Sequence, residues 1–108
     1  MKGKIVLIPF PFTDLSGSKR RPALVLLQSG HDVVVSYISS KTTTLSEACI
    51  LIKENDPDFS ETGLKTSSVL RLDKLATILT NLVLGEIGEI KGSLKNEINR
   101  KLVELYRI

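Results

Sequence analysis

Tryptophan is missing from this chain, and cysteine, histidine and the other aromatics are scarce: one Cys, one His, two Tyr and three Phe in 108 residues. Each scarcity removes a class of function. A lone Cys49 excludes an internal disulfide and a cysteine-based zinc site, so it is expected as a small core residue. A lone His31, flanked by Gly30 and Asp32 in a turn-forming run, excludes a two-histidine acid–base pair and is expected as an exposed turn residue. So few aromatic rings argue against a broad base-stacking platform. No apolar run approaches the ~20 residues that a spanning helix needs, and no signal-peptide pattern follows Met1, so a cytoplasmic location without membrane contact is expected. Net charge is also small, +3 from 15 basic and 12 acidic residues. Any attraction for a polyanion would come from a local patch.

The remainder describes an ordinary globule, 42% hydrophobic and 25% charged, expected to form one domain over residues 1–108. Short apolar and β-branched runs predict strands at 5–8, 22–28, 33–39 and 48–52. The run 5–8 is closed by Pro9, Phe10 and Pro11, and residues 29–32 form a turn between the second and third strands. A long connection over 53–66, carrying a short turn, leads to a fifth strand at 67–73. Residues 75–79 either continue it after a bend or form a sixth. The carboxylates of the connection, Asp56, Asp58 and Glu61, are expected to mark solvent. Leu94, Ile98, Leu102 and Leu105 then recur at helical spacing, with Ser93 as N-cap and Glu97 four residues before Lys101. The expected fold is mainly β (α+β): a small, strongly bent antiparallel sheet, or SH3-like barrel, of five to six strands with a C-terminal amphipathic helix. With no helix between the early strands, a doubly wound nucleotide-binding sheet is excluded.

Three cations in a row, Lys19, Arg20 and Arg21, leave a polar loop at 13–18 and enter the second strand. Arg21 is the most constrained because Pro22 holds it extended. In an antiparallel hairpin the start of one strand lies beside the end of its partner, so Arg21 should neighbour Ser39. A guanidinium and a hydroxyl so placed can grip a phosphodiester, the first by forking onto two oxygens and the second by donating a third hydrogen bond. Lys19 and Arg20 are candidates for backbone contact, and Ser40, Lys41 and Asp73, at neighbouring strand ends, complete the polar set. No metal-ligand spacing, glycine-rich phosphate loop or nucleophile elbow occurs.

The run from Gly3 to Ile8, the Gly17-Ser18 loop ending in Arg21-Pro22-Ala23-Leu24-Val25-Leu26, the Ile38-Ser39 strand end and the run from Ser68 to Ile78 are collinear blocks. Together they resemble the PemK/MazF toxin family. The resemblance implies a homodimeric toxin of a type II toxin-antitoxin system, an endoribonuclease that cuts single-stranded messenger RNA without metal or cofactor and is silenced by a cognate antitoxin. It also implies Arg21 as the catalytic arginine and Ser39 as the catalytic hydroxyl, with cleavage through the substrate's own 2′-hydroxyl. The antitoxin would lay an acidic or amphipathic segment over the basic loop.

Three positions depart from the family pattern. Ser39 stands where threonine is commoner, Lys74 where glutamine is frequent, and Ala76 where arginine is frequent. The first keeps the hydroxyl, while the others alter the surface facing RNA, so a cleavage sequence does not carry over. Two alternatives stay open at this point. One is a gyrase-poisoning toxin of the same architecture, which would use a Trp-Gly-Ile tail that this chain lacks; the other is a binding module that has lost catalysis.

Overall fold

The structure, a computed structural model, describes residues 1–10, 19–43 and 45–108. The turn expected at 13–18 lies outside the described residues. Six strands lie among the described residues: β1 (Lys4–Phe10), β2 (Lys19–Ser29), β3 (Asp32–Ser39), β4 (Cys49–Ile52), β5 (Ser68–Leu79) and β6 (Gly85–Glu89). They form one antiparallel sheet in the order β4-β5-β3-β2-β1-β6, curled into a half-barrel, and one helix, α1 (Gly92–Tyr106), packs on it. No helix among the described residues is long and apolar enough to cross a membrane.

Local chemistry accounts for most of the boundaries. The β2–β3 hairpin turns at Gly30 and His31, and only Gly30 carries a positive φ (59°), the pattern of a turn with glycine first. His31 is exposed there. β1 runs on through Pro9, which pairs with Arg20. Its β6 partner has ended by then, because the β1–β6 ladder stops at Leu7↔Gly85, so the missing proline N–H faces no strand on that side.

Three register shifts curl the sheet, since an extra residue on one strand bends it and sharpens its twist. One is Leu26 on β2, between the pairs Val25↔Val35 and Leu27↔Val34. A second is Ile87 on β6, between Ile5↔Gly88 and Val6↔Glu86. The largest is on β5, where Ser36↔Leu75 is followed by Tyr37↔Arg71, leaving Leu72, Asp73 and Lys74 without β3 partners. Residues 75–79 therefore continue β5 after the expected bend. Backbone groups at this bulge find partners outside the β3 ladder: Ser36 Oγ donates to the Arg71 carbonyl at 2.7 Å, and Leu72 N–H to Ala48 O at 3.0 Å. The Tyr106 hydroxyl, from the last turn of α1, donates to the Leu72 carbonyl.

Each sheet face has its own core. Ile5, Leu24, Ile38, Leu70 and Leu72 on one face meet Leu94 and Ile98 of α1, with Leu102 and Leu105 packed beside them. On the other face Val6, Ile8, Ala23, Val25, Val33, Val35 and Ile78 form a second cluster.

A sixth strand, Gly85–Glu89, was not foreseen at that place. Three expectations are corrected. Ser93 lies inside α1, whose cap position is Lys91, and its hydroxyl donates to Asp58 at 3.3 Å. Lys101 pairs with Glu104 at 3.9 Å in place of Glu97. Cys49 is half-buried at the start of β4, its thiol 3.5 Å from Ser46 Oγ, and is absent from both cores. Asp56, Asp58 and Glu61 also have structural partners, including the Lys91 ammonium 3.6 Å from Glu61.

Candidate active site

The second core opens at one end into a polar cleft, and strand alternation explains how. Along β3 every second side chain shares a face, so Val33 and Val35 lie in the core and Tyr37 and Ser39 line the cleft beyond it. Along β2 the same rule takes Val25 and Ala23 into the core and Arg21 into the cleft. The cleft measures about 420 Å³. Four of its lining residues are cations, Arg21, Lys41, Arg71 and Lys74, and no carboxylate of the described residues lines it.

Arg21 is exposed and pairs across the ladder with Ile8 of β1. The β2–β3 ladder ends at Ala23↔Tyr37, and the same register carried two residues further sets Arg21 against Ser39. Ser39 Oγ accepts the Lys41 backbone N–H at 3.1 Å. That bond occupies one lone pair and fixes where the oxygen points, leaving the hydroxyl proton to be donated. A forked cation and a directed O–H thus face one pocket, the arrangement a phosphodiester oxygen pair requires.

The other candidates divide by position. Ser40 and Lys41 line the cleft with Arg21 and Ser39. Lys19 and Arg20 lie at the exposed start of β2, beyond the lining. Asp73 is also outside the lining; both its oxygens hold Arg71, Oδ1 3.1 Å from Nε and Oδ2 3.1 Å from Nη2. The Arg71 hydrogen bonds hold the Asp73 carboxyl below its usual range, and Asp73 in turn raises Arg71. Burial raises the Tyr37 phenol.

Sequence reasoning had not singled out Tyr37 or Arg71 as site residues. Arg71 stands among apolar strand residues, and only the bulge sets it opposite Tyr37. Among the described residues no group of three or more His, Cys, Asp or Glu could hold a metal ion.

The model of the PemK-like, MazF-like toxins of type II toxin-antitoxin systems matches residues 1–106. This chain belongs to that toxin family. No curated protein matches the chain. Solved structures agree in fold. The Mycobacterium tuberculosis toxin MazF-mt6 superposes with a TM-score of 0.73 at 18% identity, covering 97% of each chain. A mycobacterial endoribonuclease in complex with its cognate antitoxin gives 0.69 at 17%, over 96% of this chain and 91% of that one. MazF from Deinococcus radiodurans gives 0.68 at 19%, over 99% and 96%. At these identities the likeness carries the half-barrel of the PemK/MazF toxins and leaves the chemistry of the cleft to its own residues.

Proposed function

We propose that this PemK/MazF-family chain is a toxin endoribonuclease that cuts single-stranded messenger RNA, with Arg21 and Ser39 as its catalytic pair. The observation that carries the reading is the meeting of Arg21 and Ser39 in a cleft lined by four cations and, among the described residues, no carboxylate. Such a lining favours a polyanion and offers a divalent metal few donors. The reaction that fits is internal transfer. The substrate's 2′-oxygen attacks the adjacent phosphorus as its proton leaves, and the bond to the 5′-oxygen breaks as that oxygen gains a proton. The products are a 2′,3′-cyclic phosphate and a 5′-hydroxyl end.

A guanidinium offers N–H donors and no acceptor, so the part of Arg21 is to stabilise charge gathering on the phosphorane oxygens. Ser39 donates to the same group and orients it. Lys19, Arg20, Ser40 and Lys41 grip neighbouring phosphates and sugars. The same reading includes a cytoplasmic homodimer, and an antitoxin that covers the cleft; a structural neighbour solved with its cognate antitoxin supports that partner.

Cleavage of unstructured RNA in excess chelator tests the proposal. Arg21→Ala and Ser39→Ala should each lower the rate by about a hundred- to a thousand-fold, and the wild-type products should carry cyclic phosphate ends. Undiminished cutting by Arg21→Ala overturns the assignment.

A further inference from the structure

Tyr37 and Arg71 are directly opposed in the β3–β5 ladder, and both line the cleft. Opposed residues of an antiparallel pair point to the same face with Cβ atoms about 5 Å apart, so the ring and the guanidinium share one wall. The guanidinium is held. Asp73 grips it at Nε and Nη2, both at 3.1 Å, and 29% of the Arg71 side chain remains accessible. The bulge behind it is fastened by Ser36 through the Arg71 carbonyl. The clamp engages two of the five N–H donors and sets the plane of the group.

A mobile cation suits a phosphate, which can be met from many directions. A guanidinium fixed in plane beside an aromatic ring suits a flat ligand, which the ring can stack on and the remaining donors can meet edge-on. Arg21 and Ser39 account for the phosphate chemistry, so this second pair is left for a different part of the substrate.

We infer that Tyr37 and Arg71 form a subsite for one unpaired nucleobase beside the phosphate held by Arg21 and Ser39, and that it selects a base with two adjacent acceptors on one edge. Guanine offers O6 and N7 in that way and cytosine offers O2 and N3, whereas in adenine and uracil an amino, imino or C–H group stands between neighbouring acceptors. This inference rests on the reading of the cleft as an RNA-cleaving site.

The test is a pool of RNA oligonucleotides randomised around the cut, digested in chelator and sequenced. Wild type should require guanine or cytosine at one position next to the cut, and which of the two is enriched identifies the edge that is read. Arg71→Lys keeps the charge and loses the fork; Tyr37→Ala loses the ring. Each should weaken that one preference by roughly tenfold or more and leave preferences at other positions in place, while Tyr37→Phe restores it. An unchanged preference in both Arg71→Lys and Tyr37→Ala overturns the subsite. So does a loss spread evenly over all sequences, which would make Arg71 a phosphate contact.

A parallel binding selection uses a fully 2′-O-methylated pool, which cannot be cut by internal transfer. Base selection there that depends on Arg71, without any cleavage of the unmodified pool, would refute the proposed reaction and retain the subsite. Cleavage without guanine or cytosine selection would refute the subsite alone. Circular dichroism of each variant identifies any that fails to fold, in which case Arg71→Gln serves as the replacement.

Discussion

Asp73 touches Arg71 through both carboxylate oxygens, and its consequence for stability has a definite sign. A carboxyl whose folded pKa is held below its ordinary value stabilises the fold above that ordinary value, near 4, and loses the contribution as pH falls through the folded pKa. Both side chains are partly exposed, 29% and 37%, so solvent screening keeps the effect small. Thermal unfolding of wild type and Asp73→Asn should differ at pH 6 and converge as the pH falls below about 4. Glu89, lowered by Lys91 and then by Lys4, is common to both proteins and cancels in the difference. A gap that stays constant down to pH 2 would mean that the clamp contributes nothing through its charge. The same pair shows what a residue-level reading misses: Arg71 and Asp73 are two apart in sequence, and their joint service to the cleft depends on a bulge that no propensity encodes.

The short 3-10 turn at Phe59–Thr62 lies on β6 backbone to backbone, which glycine at two positions permits. A Cβ at Gly88 would fall 2.3 Å from the Thr62 carbonyl carbon and oxygen, and one at Gly63, whose φ is +72°, would fall 2.0 Å from Ile87 O. Gly88→Ala must therefore push the turn and strand apart, a change of the overpacking kind that costs about 1–3 kcal/mol, or a melting temperature lower by the order of 10 °C. Gly85→Ala, on the same strand with nothing within 4 Å of the added carbon, is the control and should shift melting by only a few degrees. Equal effects at Gly85 and Gly88 would show that strand propensity, not the contact, explains the glycines. These glycines also explain why β6 was illegible in the sequence. Gly-Glu-Ile-Gly-Glu has one apolar residue and two poor strand formers, and it is a strand only because β1 and the turn flank it. β2, β3 and α1 were legible because their residues carry the signal themselves, Val33 to Val35 by β-branched density and Leu94 to Leu105 by helical spacing. Arg21 and Ser39 were legible as neighbours for a related reason, since a two-residue hairpin fixes which strand ends meet.

Across the whole molecule a net charge of +3 is too small to draw RNA by bulk attraction, and at 0.1 M salt charges more than about 10 Å from the strand are screened. The cations that would carry the proposed RNA grip are then those gathered at one end: Arg21, Lys41, Arg71 and Lys74 in the cleft, and Lys19 and Arg20 at the exposed start of β2. Each phosphate neutralised on a single strand releases counterions and contributes about −0.7 to the slope of log affinity against log salt. Three such contacts give a slope near −2, and removal of two outer contacts in a Lys19→Ala/Arg20→Ala double variant should flatten it by about 1.4. Lys95 and Arg100 are equally exposed cations on α1, which covers the core on the opposite face of the sheet. A Lys95→Ala/Arg100→Ala double variant lowers the net charge by the same amount and should leave the slope unchanged. Fluorescence anisotropy of an uncleavable oligonucleotide over a salt series measures both. If the two double variants flatten the slope equally, RNA is held by total charge, and the cluster that enters β2 has no special part in the grip.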